Sequence, residues 1–166
     1  EPADVIAEVR ELVQAGYRDI TLLGQNVNSY GKGRADGYDF ACLLADLDKI
    51  EGDFLLRFMT SHPKDADRRL IDVMASGKHI ARHFHLPLQS GSTRILKLMN
   101  RTYTKEQFVG IAKSLREKIP GIAISTDVIV GFPSESDEDF EETMDVLSTV
   151  RFDMVYSFLY SPRVGT

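Results

Sequence analysis

The chain has 166 residues, 20 basic and 25 acidic side chains, a net charge of −5, one cysteine and no tryptophan. That length supports one hydrophobic core, and 43% hydrophobic with 27% charged residues is an ordinary globular balance, which excludes wholesale disorder. The acidic balance argues against indiscriminate binding to phosphate backbones, and the lone Cys42 excludes both an internal disulfide and a cluster held by this chain's own thiolates.

No apolar run is long enough to span a bilayer, and residues 1–4 lack the basic and apolar regions of a secretory leader. A cytoplasmic protein with no membrane partner is expected. The first residue is Glu rather than Met, so the chain is expected to be a piece of a longer protein.

Over residues 4–14 the apolar positions Val5, Ile6, Val9, Leu12 and Val13 follow a helical period, and Gly16 stops the helix. Residues 20–23 read as a short strand, followed by a Gly- and Asn-rich loop to Gly37. Asp39 can cap a second helix whose buried stripe is Phe40, Leu43, Leu44, Leu47 and Ile50, and residues 54–59 read as the next strand. Leu70, Ile71 and Met74 mark a third helix. Residues 83–88 form the third strand, and Ser92 and Thr104 each open a helical stretch, the second with a Thr104-x-x-Gln107 capping box. A fourth strand spans 122–130. Ser136-x-x-Asp139 then caps a helix with Phe140, Met144 and Leu147 on one side, and residues 154–160 give a fifth strand.

Strand starts at Ile20, Phe54, His83, Ile122 and Met154 are spaced for βα units in a parallel sheet. The series begins on a helix and ends on a strand, so a barrel or open α/β sheet entered after its first strand is predicted. The strand at 20–23 should then have one unpaired edge, which invites self-association.

Ligands in parallel α/β folds meet the C-terminal ends of strands. Those positions hold Gly24-Gln25-Asn26, Thr60-Ser61-His62-Pro63, Leu88-Gln89-Ser90-Gly91-Ser92, Gly131-Phe132-Pro133 and Tyr160-Ser161-Pro162-Arg163. Amides and hydroxyls with few charges suit a zwitterionic or nucleoside-like ligand. Asp127 interrupts an apolar strand and is either a ligand contact or a buried structural carboxylate. His83 and His85 share one side of a strand, as metal ligands or as a satisfied histidine pair, with His62 the better candidate for a site. The basic run Arg94, Lys97, Arg101 and Lys105 reads as a phosphate contact or a charged helix face.

Taken in order, Gly24-Gln25-Asn26-Val27-Asn28-Ser29-Tyr30-Gly31, Ser61-His62-Pro63, residues 85–92 (HLPLQSGS), Met99-Asn100-Arg101, residues 126–133 (TDVIVGFP) and Tyr160-Ser161-Pro162-Arg163-Val164-Gly165-Thr166 resemble the radical S-adenosylmethionine methylthiotransferases. The first segment resembles the tRNA-modifying MiaB branch. Ser134 departs from the family pattern, where Gly usually follows Gly-Phe-Pro.

The resemblance implies a partial parallel (βα)6 radical-SAM barrel lacking its first strand, so that residues 1–166 form the core of the barrel domain. An N-terminal cluster domain, a cysteine loop and a C-terminal RNA-binding domain would lie outside them. It further implies a transferase that adds a methylthio group to isopentenylated adenosine in tRNA, with S-adenosylmethionine and 4Fe-4S clusters as cofactors and a reductant protein as partner. The fragment by itself is expected to be inactive, because one cysteine cannot hold a cluster. Carried over by motif, Gln25 and Asn26 would meet the methionine end of the cofactor. Ser61, His62, Gln89 and Ser90 would line the cavity around its sugar or the incoming adenine, with Asp127 and Arg163 completing floor and rim. Two rivals are a metal-dependent hydrolase barrel using His62, His83 and His85, and a non-catalytic RNA-binding module using Arg94, Lys97 and Arg101.

Overall fold

The helix starts are set by local capping. The computed structural model describes residues 1–59, 62–63 and 66–162. α1 (Pro2–Gln14) opens on a proline, which forfeits no helical hydrogen bond there, and Glu1 and Asp4 close a reciprocal capping box. Asp39 accepts from Cys42 N–H at 2.9 Å ahead of α2 (Phe40–Leu47), and Asp67 accepts from Leu70 N–H at 2.8 Å ahead of α3 (Arg68–Ser76). Ser92 holds the cap position of α4 (Thr93–Leu98), but its hydroxyl donates to Asp139 at 2.6 Å instead of closing the helix. The expected capping boxes Thr104/Gln107 and Ser136/Asp139 begin α5 (Lys105–Lys118) and α6 (Asp137–Val150).

Between these helices run five parallel strands among the described residues: β1 (Asp19–Leu22), β2 (Leu55–Phe58), β3 (His83–His85), β4 (Ala123–Val130) and β5 (Met154–Leu159). β1 pairs with β2, and β3, β4 and β5 pair in that order. A single parallel bridge between Leu56 and Ile80, just before β3, joins the two ribbons. Each strand therefore neighbours the next in sequence, without the reversal of a doubly wound sheet. This is the order of a partial parallel barrel. β3 is shorter than the sequence suggests because Pro87 has no N–H for the ladder, although Leu86 and Gln89 still donate to β4 carbonyls at 2.8 Å.

The core lies between the strands and the helices, with Leu44, Leu47, Leu56, Phe84, Phe108, Leu115 and Ile124 fully buried. The expected stripe on α2 is buried throughout. That on α6 is not: Phe140 and Met144 face outward, and Asp139, Thr143, Val146 and Val150 are buried instead. The cause is polar docking against residues 90–92. Gly91 N–H donates to Thr143 Oγ1 at 2.8 Å, and a Cβ on Gly91 would sit 2.4 Å from Thr143 Cα. Only glycine admits so close a helix.

Candidate functional site at the strand ends

Beyond β3, Gln89 is wedged into the ladder of β4: its N–H donates to Asp127 C=O and its C=O accepts from Ile129 N–H, both at 2.8 Å. Holding both rungs requires a left-handed backbone, φ +67°, unusual for a residue with a side chain and often found where a fold presents a group to a ligand. The residue is only 8% exposed. Among the described residues, its carboxamide makes no side-chain hydrogen bond and lines a cleft of about 760 Å³.

Asp127, half-buried on β4, lines the same cleft. Its Oδ2 lies 3.3 Å from His85 Nε2. The walls are apolar and aromatic: Ile129, Phe158, and the rings of Phe132 and Tyr160, which meet edge to face with centroids 5.2 Å apart. Asn100 and Arg101 close the side after α4, and among the described residues Arg101 Nε is buried without an acceptor. An aromatic slot with an amide, a carboxylate and a guanidinium fits a heterocycle carrying hydrogen-bond donors.

The other strand ends are stitched to one another. Asn28, after β1, exchanges hydrogen bonds with the His62 backbone, donating from Nδ2 to His62 C=O at 3.1 Å and accepting His62 N–H at 2.9 Å. The His62 ring packs edge-on to Tyr103, 5.8 Å between centroids, and Tyr103 donates to the carbonyls of Pro87 and Leu88. Burial pushes the Tyr103 phenol up to about 12, so it stays protonated at neutral pH. Neither Asn28 nor Tyr103 stands out from the sequence by residue type. Asn28 has only its place in the Gly24–Gly31 motif as a signal, and Tyr103, between α4 and α5, has none among the strand ends.

Of the residues singled out from the sequence, Gln89 and Asp127 share the cleft. Gln25 is exposed at the end of β1. Asn26 donates to Ser29 Oγ at 2.6 Å and lines a separate, largely apolar cavity of about 520 Å³ between α1 and β1. His62 is half-buried between Asn28 and Tyr103. Ser90 is fully buried, its Oγ accepts Ser92 N–H at 3.1 Å and lies 3.5 Å from Thr143 Oγ1, so it holds the loop. Ser61 and Arg163 lie outside the described residues.

The structure does not gather the metal set of the first rival. His83 and His85 share Ser125, His62 packs on Tyr103, and among the described residues no group of three or more His, Cys, Asp and Glu is arranged to hold a metal. The RNA-binding rival loses Arg94, whose guanidinium is committed to Asp139 and to Ser134 C=O. The Arg94 and Ser92 hydrogen bonds hold the Asp139 carboxyl well below the usual carboxylate range.

The family model of the radical SAM superfamily matches residues 1–147. The chain belongs to the radical SAM superfamily. It is 51% identical over all 166 residues to the tRNA-2-methylthio-N(6)-dimethylallyladenosine synthase of Desulforamulus reducens, and 55% identical over the same span to that of Alkaliphilus oremlandii. It covers 36% and 35% of those proteins, so it spans about a third of the length of the relatives it matches. The radical SAM fold is also that of Streptococcus suis SuiB bound to S-adenosylmethionine. The two superpose with a TM-score of 0.63 over 99% of this chain and 35% of SuiB, at 18% identity. Among the described residues no helix is long and apolar enough to cross a membrane.

Proposed function

We propose that this radical SAM chain is the barrel core of a tRNA methylthiotransferase acting on dimethylallylated adenosine, with S-adenosylmethionine bound at the strand ends. The observation carrying this reading is the 51% identity to a tRNA-2-methylthio-N(6)-dimethylallyladenosine synthase across every residue of the chain. The site supports it: an aromatic slot with Gln89 and Asp127 at its floor accommodates an adenosyl group, whose amine and hydroxyls are hydrogen-bond donors. Gln89 would orient the ligand through its spare amide, and Asp127 would accept from it. Gln25, exposed at the end of β1, and His62 would flank the same mouth, with Ser61 and Arg163 adding contacts from the neighbouring loops.

The residues present do not fit a 4Fe-4S cluster. Such clusters need several thiolates, and this chain's Cys42 sits on α2 with its Sγ 2.8 Å from Arg69 Nη2. The cysteines would come from the part of the longer protein beyond these 166 residues. A reductant protein and a cytoplasmic setting, where tRNA is modified, complete the reading. In the isolated chain β1 would self-associate through its open edge, since among the described residues it pairs with β2 alone.

Expression of the longer protein in a strain lacking its own tRNA methylthiotransferase tests the activity. Restored 2-methylthio-dimethylallyladenosine, measured by mass spectrometry of digested tRNA, is the expected result. Intact S-adenosylmethionine turnover with no change in tRNA would overturn it.

A further inference from the structure

His83, His85, Ser125 and Asp127 lie on one face of the β3–β4 ribbon. They alternate with Phe84, Ile124, Thr126 and Val128, which are buried toward the core. His83 Nε2 is 2.9 Å from Ser125 Oγ, Ser125 Oγ is 2.9 Å from His85 Nδ1, and His85 Nε2 is 3.3 Å from Asp127 Oδ2. Every proton in this row is determined by its end. An ionised Asp127 only accepts, so His85 Nε2 carries hydrogen. A neutral His85 then has a bare Nδ1, which must receive the Ser125 proton, and the Ser125 oxygen in turn receives the proton on His83 Nε2.

We propose that this row is a one-way hydrogen-bond chain in which His83, Ser125 and His85 act as positioning residues. They hold Asp127 as an acceptor-only carboxylate and so select ligands that present a hydrogen-bond donor to the cleft. The polarity is cooperative, because each donated proton frees the neighbouring lone pair for the next bond. Protonating His85 breaks the row, since its Nδ1 would then donate, Ser125 would meet two donors and its own proton would turn away; a second proton on His83 would enter at Nδ1 and leave the row as it stands. The groups facing His83 are His85, Arg57 from β2 and Asp153 ahead of β5. Burial, His85 and Arg57 pull its pKa below the ordinary histidine value against the opposing pull of Asp153. Those facing His85 are His83, Asp127 and the Tyr156 ring on β5, whose centroid is 6.3 Å away.

The inference concerns the barrel's own protons. Its test contains no cofactor, so its failure is distinguishable from failure of the function proposed above. The probe is the imidazole nitrogen NMR spectrum of this chain labelled with 15N-histidine, at pH 7.5. The expected result is that His83 and His85 are both neutral with the proton on Nε2.

In Asp127→Asn, whose amide can donate as well as accept, His85 should lose this preference. So should His83, three hydrogen bonds from the substitution, its ratio of Nε2–H to Nδ1–H falling about threefold or more, the worth of one hydrogen bond. With Ser125→Ala in the background, Asp127→Asn should alter His85 and leave His83 unchanged. A His85 proton on Nδ1 in the wild type overturns the proposal without any variant. An unchanged His83 in a folded Asp127→Asn chain, as judged by its amide spectrum, overturns it as well.

Discussion

Gln89 and Ser90 are consecutive residues at the end of one strand, and their polar groups are spent in opposite ways. Ser90, with Ser92, Asp139 and Thr143, belongs to a closed set of hydrogen bonds that fixes α6 to the loop at Gly91. Gln89 faces the other side, and among the described residues its amide is left to the cleft beside Asp127. A single turn of chain thus contains both the frame and the face it presents. The left-handed backbone at Gln89 aims one side chain toward the cleft while its neighbour turns to the helix.

Substitutions that attack the frame should cost folding, and those that attack the face should cost binding. The largest effect is expected at Gly91→Ala, where the added carbon would meet the Thr143 backbone. We expect a loss of about 2–3 kcal/mol in chemical denaturation. A milder loss would show that α6 can back away from the loop.

Asp139→Asn should come next, removing the acceptor of Arg94 and Ser92. Because the folded carboxyl is held well below its ordinary value, its contribution is complete above about pH 4 and fades as pH falls below that. The variant should be less stable at neutral pH and lose part of the acid limb of the stability curve, which thermal melts at pH 2–7 would read.

On the face, Gln89→Ala should leave melting nearly unchanged, and Asp127→Ala, which also takes the acceptor from His85, should lower it less than Asp139→Asn does. Each should weaken S-adenosylmethionine binding in calorimetry about tenfold, roughly 1.4 kcal/mol. A matching loss of stability would place these residues with the frame and erase the contrast.

The smallest effect concerns the border between the two. Ser134 adopts φ +67°, the conformation that glycine takes without strain, while its carbonyl accepts from Arg94. Ser134→Gly should stabilise the chain by about 0.5–1 kcal/mol, read in the same denaturation experiment.

How much of this was legible follows from which forces leave a periodic trace. The caps at Asp39, Thr104 and Ser136 were readable because short polar side chains before an apolar stripe have a local purpose. Element spacing points to a parallel sheet, barrel or open, and the resemblance to the radical SAM methylthiotransferases implies the barrel. The face of α6 was misread because Phe140 and Met144 carry the apolar signal while Asp139 and Thr143 do the docking, through bonds to residues some fifty positions earlier. The same contact covers Ser90, whose hydroxyl beyond the strand lies against Thr143. Asp127 was left between ligand contact and structural carboxylate. It lines the cleft and is bonded to His85.

The reciprocal pairing of Asn28 with the His62 backbone has its own consequence. A carboxamide that both donates to and accepts from one residue copies the peptide group of an adjoining strand. It thereby ties the segment after β1 to the segment after β2 past the last rung made by main chain, two positions out of the ribbon's register. Lengthening the connection between Leu22 and Asn28 by a residue would unseat this counterfeit rung while leaving every rung of the ribbon itself in place.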